Sequence, residues 1–376
     1  MRNLNHTMQE AMRLMKTGDL RAAAEAIQRG LHGRRKPSHA TTQPFAAEAT
    51  DACIEGQYRV VPDASIHSEQ TAETMEAPER DGNKAPDGTF LDHRFTCDAG
   101  EMHYKLFIPS GLGDAPPPLI VMLHGCTQTP DDFARGTRMN ALAQKHGYVV
   151  AYPAQAQSRN ASKCWNWFRS HDQQRGQGEP AVIAALTDHL AQVHGLDRHR
   201  LYVAGLSAGG AMAAVLASTY PDVYAAIGVH SGLPVGVAHD LPSAFAAMKQ
   251  GAGPSAVQPA SMAPVPTIVF HGDRDTTVDP CNGEAVIAQC VGTAASVCGA
   301  ESATVECGSV PGGRTYTRTV FRHPDGSVMA EQWVVHGAAH AWFGGDPSGS
   351  YTDPSGPDAS KHMMRFFSAC ARSAIN

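Results

Sequence analysis

The residue whose surroundings best suit it to chemistry is Ser207, the centre of the sequence Gly-Leu-Ser-Ala-Gly at residues 205–209. Hydrophobic residues precede it and small residues follow it, which predicts a strand that ends just before Ser207 and a helix that begins just after it. A sharp turn between the strand and the helix would expose the hydroxyl. Such a turn closes only if positions 205 and 209 lack bulky side chains, which the glycines there satisfy. The motif predicts a nucleophilic serine; the alternative is an ordinary glycine-rich turn.

The predicted acid partner is Asp275. A serine hydroxyl is nearly inert at neutral pH, so Ser207 requires a histidine base and a carboxylate that orients this histidine. In folds with this turn the acid follows the serine in the chain and the histidine comes last. Asp275 comes just after the predicted strand 267–270. Asp273 competes with it but follows a glycine so closely that it more naturally supports the turn, and Asp279 is a weaker competitor.

The predicted base is His340, which follows the last predicted strand at residues 332–335. Small residues come before His340, so its imidazole is free to reach Ser207. The alternative is a surface-loop histidine, since the chain has 19 histidines. His336, at the end of the same strand, is predicted to be structural.

Hydrolysis through a serine also needs backbone amides that bind the oxyanion of the tetrahedral intermediate. One is the amide of Ala208 at the start of the predicted helix, where the helix dipole also points. The second comes from the loop after the predicted strand 119–123, where Gly125 gives the turn the freedom to aim the amide of Cys126. Both predicted donors, Cys126 and Ala208, are backbone groups.

A zinc site is the alternative chemistry for the same region. His124, His271 and His336 each end a predicted strand, each precedes a glycine, and three histidines would suit catalytic zinc. The predicted serine site already accounts for this edge, and such histidines also bond neighbouring loops. We therefore predict no metal and no cofactor. Loss of activity with EDTA and recovery with zinc would instead favour the metal site.

The elements that must position these residues follow residue 86. Short β-rich runs alternate there with helical stretches, an order typical of a mostly parallel α/β sheet with helices on both faces. Eight strands are predicted, at residues 90–95, 102–108, 119–123, 148–152, 200–204, 225–229, 267–270 and 332–335. Helices are predicted at residues 131–146, 179–194, 208–220 and 281–291, with a last one capped by Asp358 and running to about residue 372.

The first 86 residues differ in composition from the rest. Apolar residues at helical spacing over residues 6–32 predict an amphipathic helical hairpin at residues 1–33. Its apolar face would dock on the main domain, on a second copy, or on a polymer or granule surface. Residues 34–86 have the composition of a flexible linker. The catalytic domain is predicted to span residues 87–376.

Composition and charge exclude other classes of protein. Hydrophobic residues make up 42% of the 376 residues and charged residues 18%, enough for a sizeable core. A formal charge of -6 offers no basic field for nucleic acid. No run approaches the ~18 apolar residues of a membrane helix, so no transmembrane segment is predicted. The 9 cysteines are an odd number, and the pairing of Cys281, Cys290, Cys298 and Cys307, which could hold one or two disulfides, stays open.

The motifs together resemble the poly(3-hydroxybutyrate) depolymerase family of short-chain-length polyhydroxyalkanoate esterases, which is related to feruloyl and acetylxylan esterases. The resemblance covers residues 87–372. It rests on the sequences HGCTQ at 124–128, CWNWF at 164–168, GLSAGG at 205–210, GDRDTTV at 272–278, HAWFGG at 340–345 and PDAS at 357–360. The CWNWF sequence is the most specific of these.

This resemblance implies an α/β-hydrolase fold and a serine esterase with Ser207, His340 and Asp275 as its triad and Cys126 in the oxyanion hole. It also implies a disulfide between Cys126 and Cys164. The predicted substrate is poly(3-hydroxybutyrate) or its oligomers, although a soluble ester remains open. A feruloyl or acetylxylan-type esterase and a non-catalytic polymer-surface binding protein are the alternatives.

Aromatic residues near the motifs suit a water-insoluble polyester, because an apolar crevice could grip methyl-bearing repeat units. The residues predicted to contact substrate are Trp165, Asn166, Trp167, Phe168 and Trp342, although at least one of the CWNWF aromatics is expected in the core. The compartment stays open: the resemblance implies an extracellular protein, but no apolar stretch typical of a secretory signal is recognisable, which leaves a cytoplasmic protein as the alternative.

Overall fold

The computed structural model describes residues 88–251, 265–298 and 302–372, without the side chains of residues 293–298 and 302. The predicted hairpin at residues 1–33 and the predicted linker at residues 34–86 lie outside the described residues. Both remain predictions, as does the domain boundary.

A single large sheet forms the centre of the described chain. Its strands are β1 (Thr89–Cys97), β2 (Gly100–Ile108), β3 (Leu119–Leu123), β4 (Val149–Ala154), β5 (Leu201–Leu206), β6 (Ala226–His230), β7 (Thr267–Gly272), β8 (Ser302–Ser309), β9 (Thr315–Arg322) and β10 (Val328–Val335). They lie side by side in the order β1-β2-β4-β3-β5-β6-β7-β10-β9-β8. The six strands from β4 to β10 in that order are parallel, whereas β1, β2, β9 and β8 pair antiparallel at the two ends. A separate small pair joins β11 (Trp342–Phe343) to β12 (Thr352–Asp353).

Helices cover both faces of this sheet. They are α1 (Pro130–Thr137), α2 (Met139–His146), α3 (Gly178–Val193), α4 (Ala208–Thr219), α5 (Leu241–Gln250), α6 (Cys281–Cys298) and α7 (Ala359–Ser368). Apolar residues of α3, α4, α5 and α6 pack in one core cluster, and those of α1, α2 and α7 pack in another. Alternate residues of β5 point to the two clusters: Val203 belongs to the first, Tyr202 and Ala204 to the second. Every residue of β5 is buried, as expected of a strand covered on both faces.

The predicted mostly parallel α/β sheet is confirmed, but the predicted number of strands was wrong. Each of the eight predicted strands is present, and the described residues add β8 and β9 to make ten. Strand β9 has the sequence TYTRTVFR and buries only Val320 fully, so it lacks the hydrophobic run that identified the central strands. An edge hairpin of this kind is held by its neighbours more than by its own composition.

Two helix predictions also needed correction, and one helix was not predicted. The helix predicted at residues 131–146 is two helices, because Arg138 adopts a left-handed φ of 53° between α1 and α2. The helix α5 was missed, and α6 runs to Cys298, further than predicted. The predicted cap of the last helix is present: Asp358 accepts a hydrogen bond from the Lys361 amide at 2.9 Å. Among the helices of the described ranges, none combines the length and apolar character needed to cross a bilayer.

Candidate active site

Ser207 lies at the turn between β5 and α4, as the sequence predicts. Its backbone adopts φ 58° and ψ -118°, a conformation that is costly for a residue with a side chain. Its amide donates to the carbonyl of His230, at the end of the neighbouring strand β6, at 2.8 Å. The strained turn is therefore anchored to the adjacent strand.

The two glycines of the motif allow the chain to close on itself at this turn. A Cβ added to Gly205 would lie 2.3 Å from the carbonyl carbon of Gly209, and one added to Gly209 would lie 2.1 Å from the carbonyl oxygen of Leu123. Both distances are far below van der Waals contact. Gly209 also brings the helix start against the end of β3, so the loop after β3 lies next to the Ser207 turn.

Asp275 and His340 are hydrogen-bonded to each other. The His340 Nδ1 atom donates to Asp275 Oδ2 at 2.6 Å. Asp275 follows β7 and His340 follows β10, and these strands are parallel neighbours, so their carboxyl ends meet at one edge of the sheet. Because Nδ1 carries the proton of this bond, Nε2 of His340 keeps its lone pair. The structure therefore brings together the two residues that the sequence pairs over a separation of 65 positions.

The carboxylate of Asp275 is held in its ionised form. Its side chain is 0% exposed, and burial alone would raise its pKa. Hydrogen bonds from His271 and His340 and from the Val278 amide outweigh burial, so the pKa of Asp275 lies well below its ordinary value. The other oxygen, Oδ1, accepts from the amides of Thr277 and Val278 at 2.8 and 2.9 Å. Asp275 is therefore fixed in orientation as well as in charge.

The competing carboxylates have other partners. Asp273 accepts from His336 Nδ1 at 3.0 Å and from the Gly337 amide at 2.7 Å, so it holds the start of the loop that leads to His340. Asp279 accepts from the Cys281 amide at 3.1 Å, at the start of α6. Of the three candidates for the acid, Asp275 is the one with a hydrogen bond to His340.

His230 connects the serine turn with the histidine loop, a role that sequence reasoning missed. Its carbonyl accepts from Ser207, and its ring Nε2 accepts from the Phe343 amide at 3.1 Å. The ring stacks on Trp342, with centroids 4.9 Å apart. Burial lowers the pKa of His230 well below its ordinary value, so the ring is neutral and its acceptor role is stable. The available signal was its position just after the predicted strand 225–229.

The loop after β3 holds the predicted oxyanion amide of Cys126 through the preceding carbonyl. The Gly125 carbonyl accepts from His124 Nδ1 at 2.8 Å and from the Gln128 amide at 3.3 Å. Nε2 of His124 accepts from the Gln155 amide at 3.1 Å, which fixes the tautomer. In a planar trans peptide the N–H points opposite to the C=O. These bonds therefore set the direction of the Cys126 N–H.

A disulfide joins Cys126 to Cys164, as the family resemblance implied. Behind it lies Glu179, which is buried and accepts hydrogen bonds from the backbone and side-chain amides of Asn166 and from the side chain of Gln155. Gln155 in turn donates to the Cys164 carbonyl at 2.9 Å. Glu179 thus fastens the CWNWF sequence and the oxyanion loop to helix α3. Sequence reasoning did not single it out, because a glutamate at a helix start is ordinarily exposed.

The aromatic residues predicted to contact substrate are buried instead. Trp165 is 0% and Trp342 1% exposed; their indole N–H groups donate to the His124 carbonyl and to Ser360 Oγ, each at 3.0 Å. These two side chains belong to the core, which corrects their predicted role. Asn166 is likewise buried on Glu179. Trp167 and Phe168 pack edge to face and keep only 5% and 7% exposure. Their contact with substrate remains a prediction.

The three histidines of the alternative zinc site each have their own protein partners. His124 bonds Gly125 and Gln155, as described above. His336 bonds Asp273 and, through Nε2, Thr317 Oγ1 at 2.9 Å. His271 Nε2 lies 3.0 Å from the Val278 carbonyl and 3.4 Å from Asp275 Oδ2. Within the described residues there is no group of His, Cys, Asp and Glu arranged to hold a metal ion.

Comparison with known proteins gives a consistent set of relatives. The sequence model of the family Esterase PHB depolymerase matches residues 102–307, a range that includes Ser207 and Asp275. Poly(3-hydroxyalkanoate) depolymerase C of Paucimonas lemoignei is 33% identical over 256 residues, which cover 65% of this chain and 60% of that protein. Feruloyl esterase B of Thermothelomyces thermophilus is 34% identical over 140 residues, 37% of this chain and 47% of the relative. The chain thus spans about half to three-fifths of the length of these curated relatives.

The fold also matches a solved structure. Acetyl xylan esterase from Aspergillus awamori superimposes with a TM-score of 0.57 at 19% identity, covering 75% of this chain and all of that one. At this level of identity the match concerns the fold. It confirms the expected α/β-hydrolase architecture.

Proposed function

We propose that this chain, which belongs to the Esterase PHB depolymerase family, is a serine hydrolase that cleaves carboxylic esters with Ser207, His340 and Asp275. The observation that carries the proposal is the hydrogen bond from His340 Nδ1 to the buried Asp275 carboxylate. It lies at the sheet edge where Ser207 leaves β5 in a strained turn. A bond of this kind orients the imidazole and leaves Nε2 as a base.

In the first half of the proposed reaction, Ser207 Oγ attacks the carbonyl carbon of the ester. His340 Nε2 takes the hydroxyl proton, and the ionised Asp275 stabilises the resulting imidazolium. The carbonyl oxygen becomes an oxyanion, which the amides of Cys126 and Ala208 bind. When the tetrahedral intermediate collapses, its bond to the alkoxy oxygen breaks and that oxygen takes the proton from His340. The alcohol leaves, and the acyl group stays on Ser207.

Water completes the cycle. It attacks the acyl carbon while His340 Nε2 takes one of its protons, and a second oxyanion occupies the same amides. The bond to Ser207 Oγ then breaks and the serine regains its proton from His340. The products are a carboxylic acid and the free enzyme, so neither a metal nor a redox cofactor takes part in the proposed reaction.

The proposed substrate is poly(3-hydroxybutyrate) or an oligomer of it. The depolymerase of Paucimonas lemoignei aligns over 256 residues, compared with 140 for the feruloyl esterase, which favours the polyester. Feruloyl esters and acetylated carbohydrates form the second candidate class, because a feruloyl esterase and a probable acetylxylan esterase are also among the sequence relatives. Purified protein assayed against 3-hydroxybutyrate oligomers and methyl ferulate side by side would decide between them.

Replacement of the proposed nucleophile is the direct test. Ser207→Ala should lower kcat for a short acyl ester by roughly 10⁵ to 10⁶-fold. The midpoint of thermal unfolding should stay at the wild-type value. Ser327→Ala, at the exposed turn between β9 and β10, is the matched control and should keep full activity. Full turnover by the Ser207 variant would contradict the proposal.

Labelling separates the enzyme from a non-catalytic binding protein on the same scaffold. A fluorophosphonate probe should react with the wild-type chain and not with Ser207→Ala, because the probe requires an activated serine. Absence of labelling in the wild type, together with unchanged binding to polymer, would favour the binding protein.

A further inference from the structure

Tyr351 stands out among the residues near the site because its ring is exposed. It lies just before β12, and 48% of its surface is open to solvent, unlike the buried aromatic residues of the CWNWF sequence. It belongs to the segment 344–351, which connects β11 to β12 and follows His340 in the chain. No sequence motif pointed to it.

The segment that carries Tyr351 is fastened to the oxyanion loop and to helix α1. The Ser350 amide donates to Asp132 Oδ1 at 3.0 Å, and the side-chain amide of Gln128 donates to the Ser350 carbonyl at 3.1 Å. Gln128 also accepts from the Gly125 amide at 2.8 Å. The residue before Tyr351 is therefore tied, through Gln128, to Gly125, the residue that precedes the predicted oxyanion amide of Cys126.

The segment is also tied to the loop of the proposed base. The Trp342 amide, two residues after His340, donates to the Tyr351 carbonyl at 2.7 Å. Tyr351 thus lies where the oxyanion loop and the histidine loop meet. Its phenolic oxygen is 3.3 Å from Thr127 Oγ1, on the residue next to Cys126.

The backbone of Tyr351 is strained. Its φ of 53° is in the left-handed region, where a bulky side chain costs of order 1 kcal/mol or more and a glycine costs nothing. Thr127 in the oxyanion loop and Ser207 also have positive φ, of 68° and 58°, as do Arg138, Lys163 and Ser231 among the described residues. An exposed tyrosine that only filled surface would gain nothing to offset this cost.

We propose that Tyr351 is a specificity-determining residue: its ring contacts the substrate beyond the reacting ester and selects esters with an apolar chain, such as 3-hydroxyalkanoate oligomers. The inference rests on the proposed esterase function. A rigidly held tyrosine supplies a large apolar face at little cost in conformational entropy. Its hydroxyl lies beside Thr127, and we expect a small acyl ester to be too short to reach the ring.

Steady-state kinetics on two esters test this role. Tyr351→Ala removes the ring but keeps a Cβ atom, so the energetic cost of the positive φ at this position stays the same. We expect KM for the 3-hydroxybutyrate trimer to rise about ten-fold with kcat little changed, and KM and kcat for 4-nitrophenyl acetate to stay at wild-type values. Tyr351→Phe keeps the ring and should match wild type on both esters. Leu91→Ala removes a similarly exposed apolar side chain from the edge strand β1 and should change neither ester.

Each outcome separates the inference from the function on which it rests. Equal KM values for wild type and Tyr351→Ala on the trimer would overturn the inference while wild-type turnover and fluorophosphonate labelling upheld the esterase. A fall in kcat on both esters for Tyr351→Phe would also overturn it, because Tyr351 would then act through Thr127 on the oxyanion loop. If the wild-type chain neither turned over an ester nor reacted with the probe, the proposed esterase function itself would be contradicted.

Discussion

The parallel strands have two edges, one where the strands begin (the amino edge) and one where they end (the carboxyl edge). The two edges differ in the burial of their charged side chains. At the amino edge, Arg175 pairs with Asp222 and Arg198 with Asp188, and the four side chains are about half exposed. These residues line an open cleft of about 910 Å³. At the carboxyl edge the Asp275 side chain is fully buried, and Ser207 and Ser231, which follow neighbouring strands, have a strained backbone with positive φ.

The amino edge displays the exposed charges, yet its ions are paired with each other and solvated. Exposed pairs of this kind contribute little to stability or to chemistry. At the carboxyl edge a buried carboxylate is kept ionised by donors that its neighbours position, which is the environment that prepares a group for catalysis. Burial and backbone strain therefore distinguish the candidate site from the amino edge, whereas exposed charge does not.

Neutralising one carboxylate at each edge tests the difference between the two edges most directly. Asp275→Asn should lower kcat roughly 10³ to 10⁴-fold, because the amide no longer holds His340 in the required tautomer. Asp222→Asn, at the amino edge, should stay within about two-fold of wild type. Equal losses for the two variants, measured as kcat on a short acyl ester, would remove the distinction between the edges.

The buried network behind the oxyanion loop gives the next largest expected effect. Glu179→Ala leaves the Asn166 and Gln155 amides without their acceptor, so the free energy of unfolding should fall by about 3 kcal/mol. Asp188→Ala breaks the exposed pair with Arg198 and should cost less than about 1 kcal/mol. Urea denaturation of both variants measures the difference. A Glu179 variant as stable as the Asp188 variant would show that this carboxylate is not the anchor.

Buried histidines at the carboxyl edge predict a loss of stability in mild acid. Burial lowers the pKa of His124 from 6.5 to about 4. Between these values the unfolded chain binds a proton that the folded protein does not, so stability falls as the pH decreases. At pH 5 His124 alone should cost about 2 kcal/mol relative to pH 7. Urea denaturation at the two pH values measures this loss.

A second, partly buried histidine provides the control for that titration. Burial also lowers the pKa of His362 to about 4, and this residue lies on α7, outside the site. His362→Gln should therefore make the pH dependence of stability shallower without changing kcat. Stability that is the same at pH 5 and pH 7 in wild type would contradict the buried neutral state of these rings.

The disulfide should have the smallest effect, and mainly on catalysis. The double replacement of Cys126 and Cys164 by serine keeps the backbone amide of residue 126 but loosens its loop, so kcat should fall about ten-fold. Cys307→Ser, at an exposed position of the edge strand β8, is the matched control and should be neutral. Unchanged kcat in the double variant would mean that hydrogen bonds alone hold the oxyanion loop.

Some parts of this fold could be predicted because they depend on neighbours in the chain. The turn at Ser207 requires only a strand, two glycines and a helix that follow one another, and the central strands are hydrophobic along their whole length. The order of Ser207, Asp275 and His340 likewise follows from the order of the strands. Their sequence surroundings favoured Asp275 over Asp273, and Asp275 accepts the hydrogen bond from His340.

Other parts depended on contacts between distant segments, which residue type and spacing do not encode. Trp165 and Trp342 have the same apolar character whether they line a crevice or fill the core, and only the packing of loops against the sheet buries them. Strands β8 and β9 form because β10 offers them an edge. Tyr351 reaches the site because Ser350 is bonded to Asp132, 218 positions away. Residue types and their order along the chain were enough to predict the candidate reactive groups. The residues that surround those groups depend on tertiary structure, because burial and orientation arise from packing between distant segments.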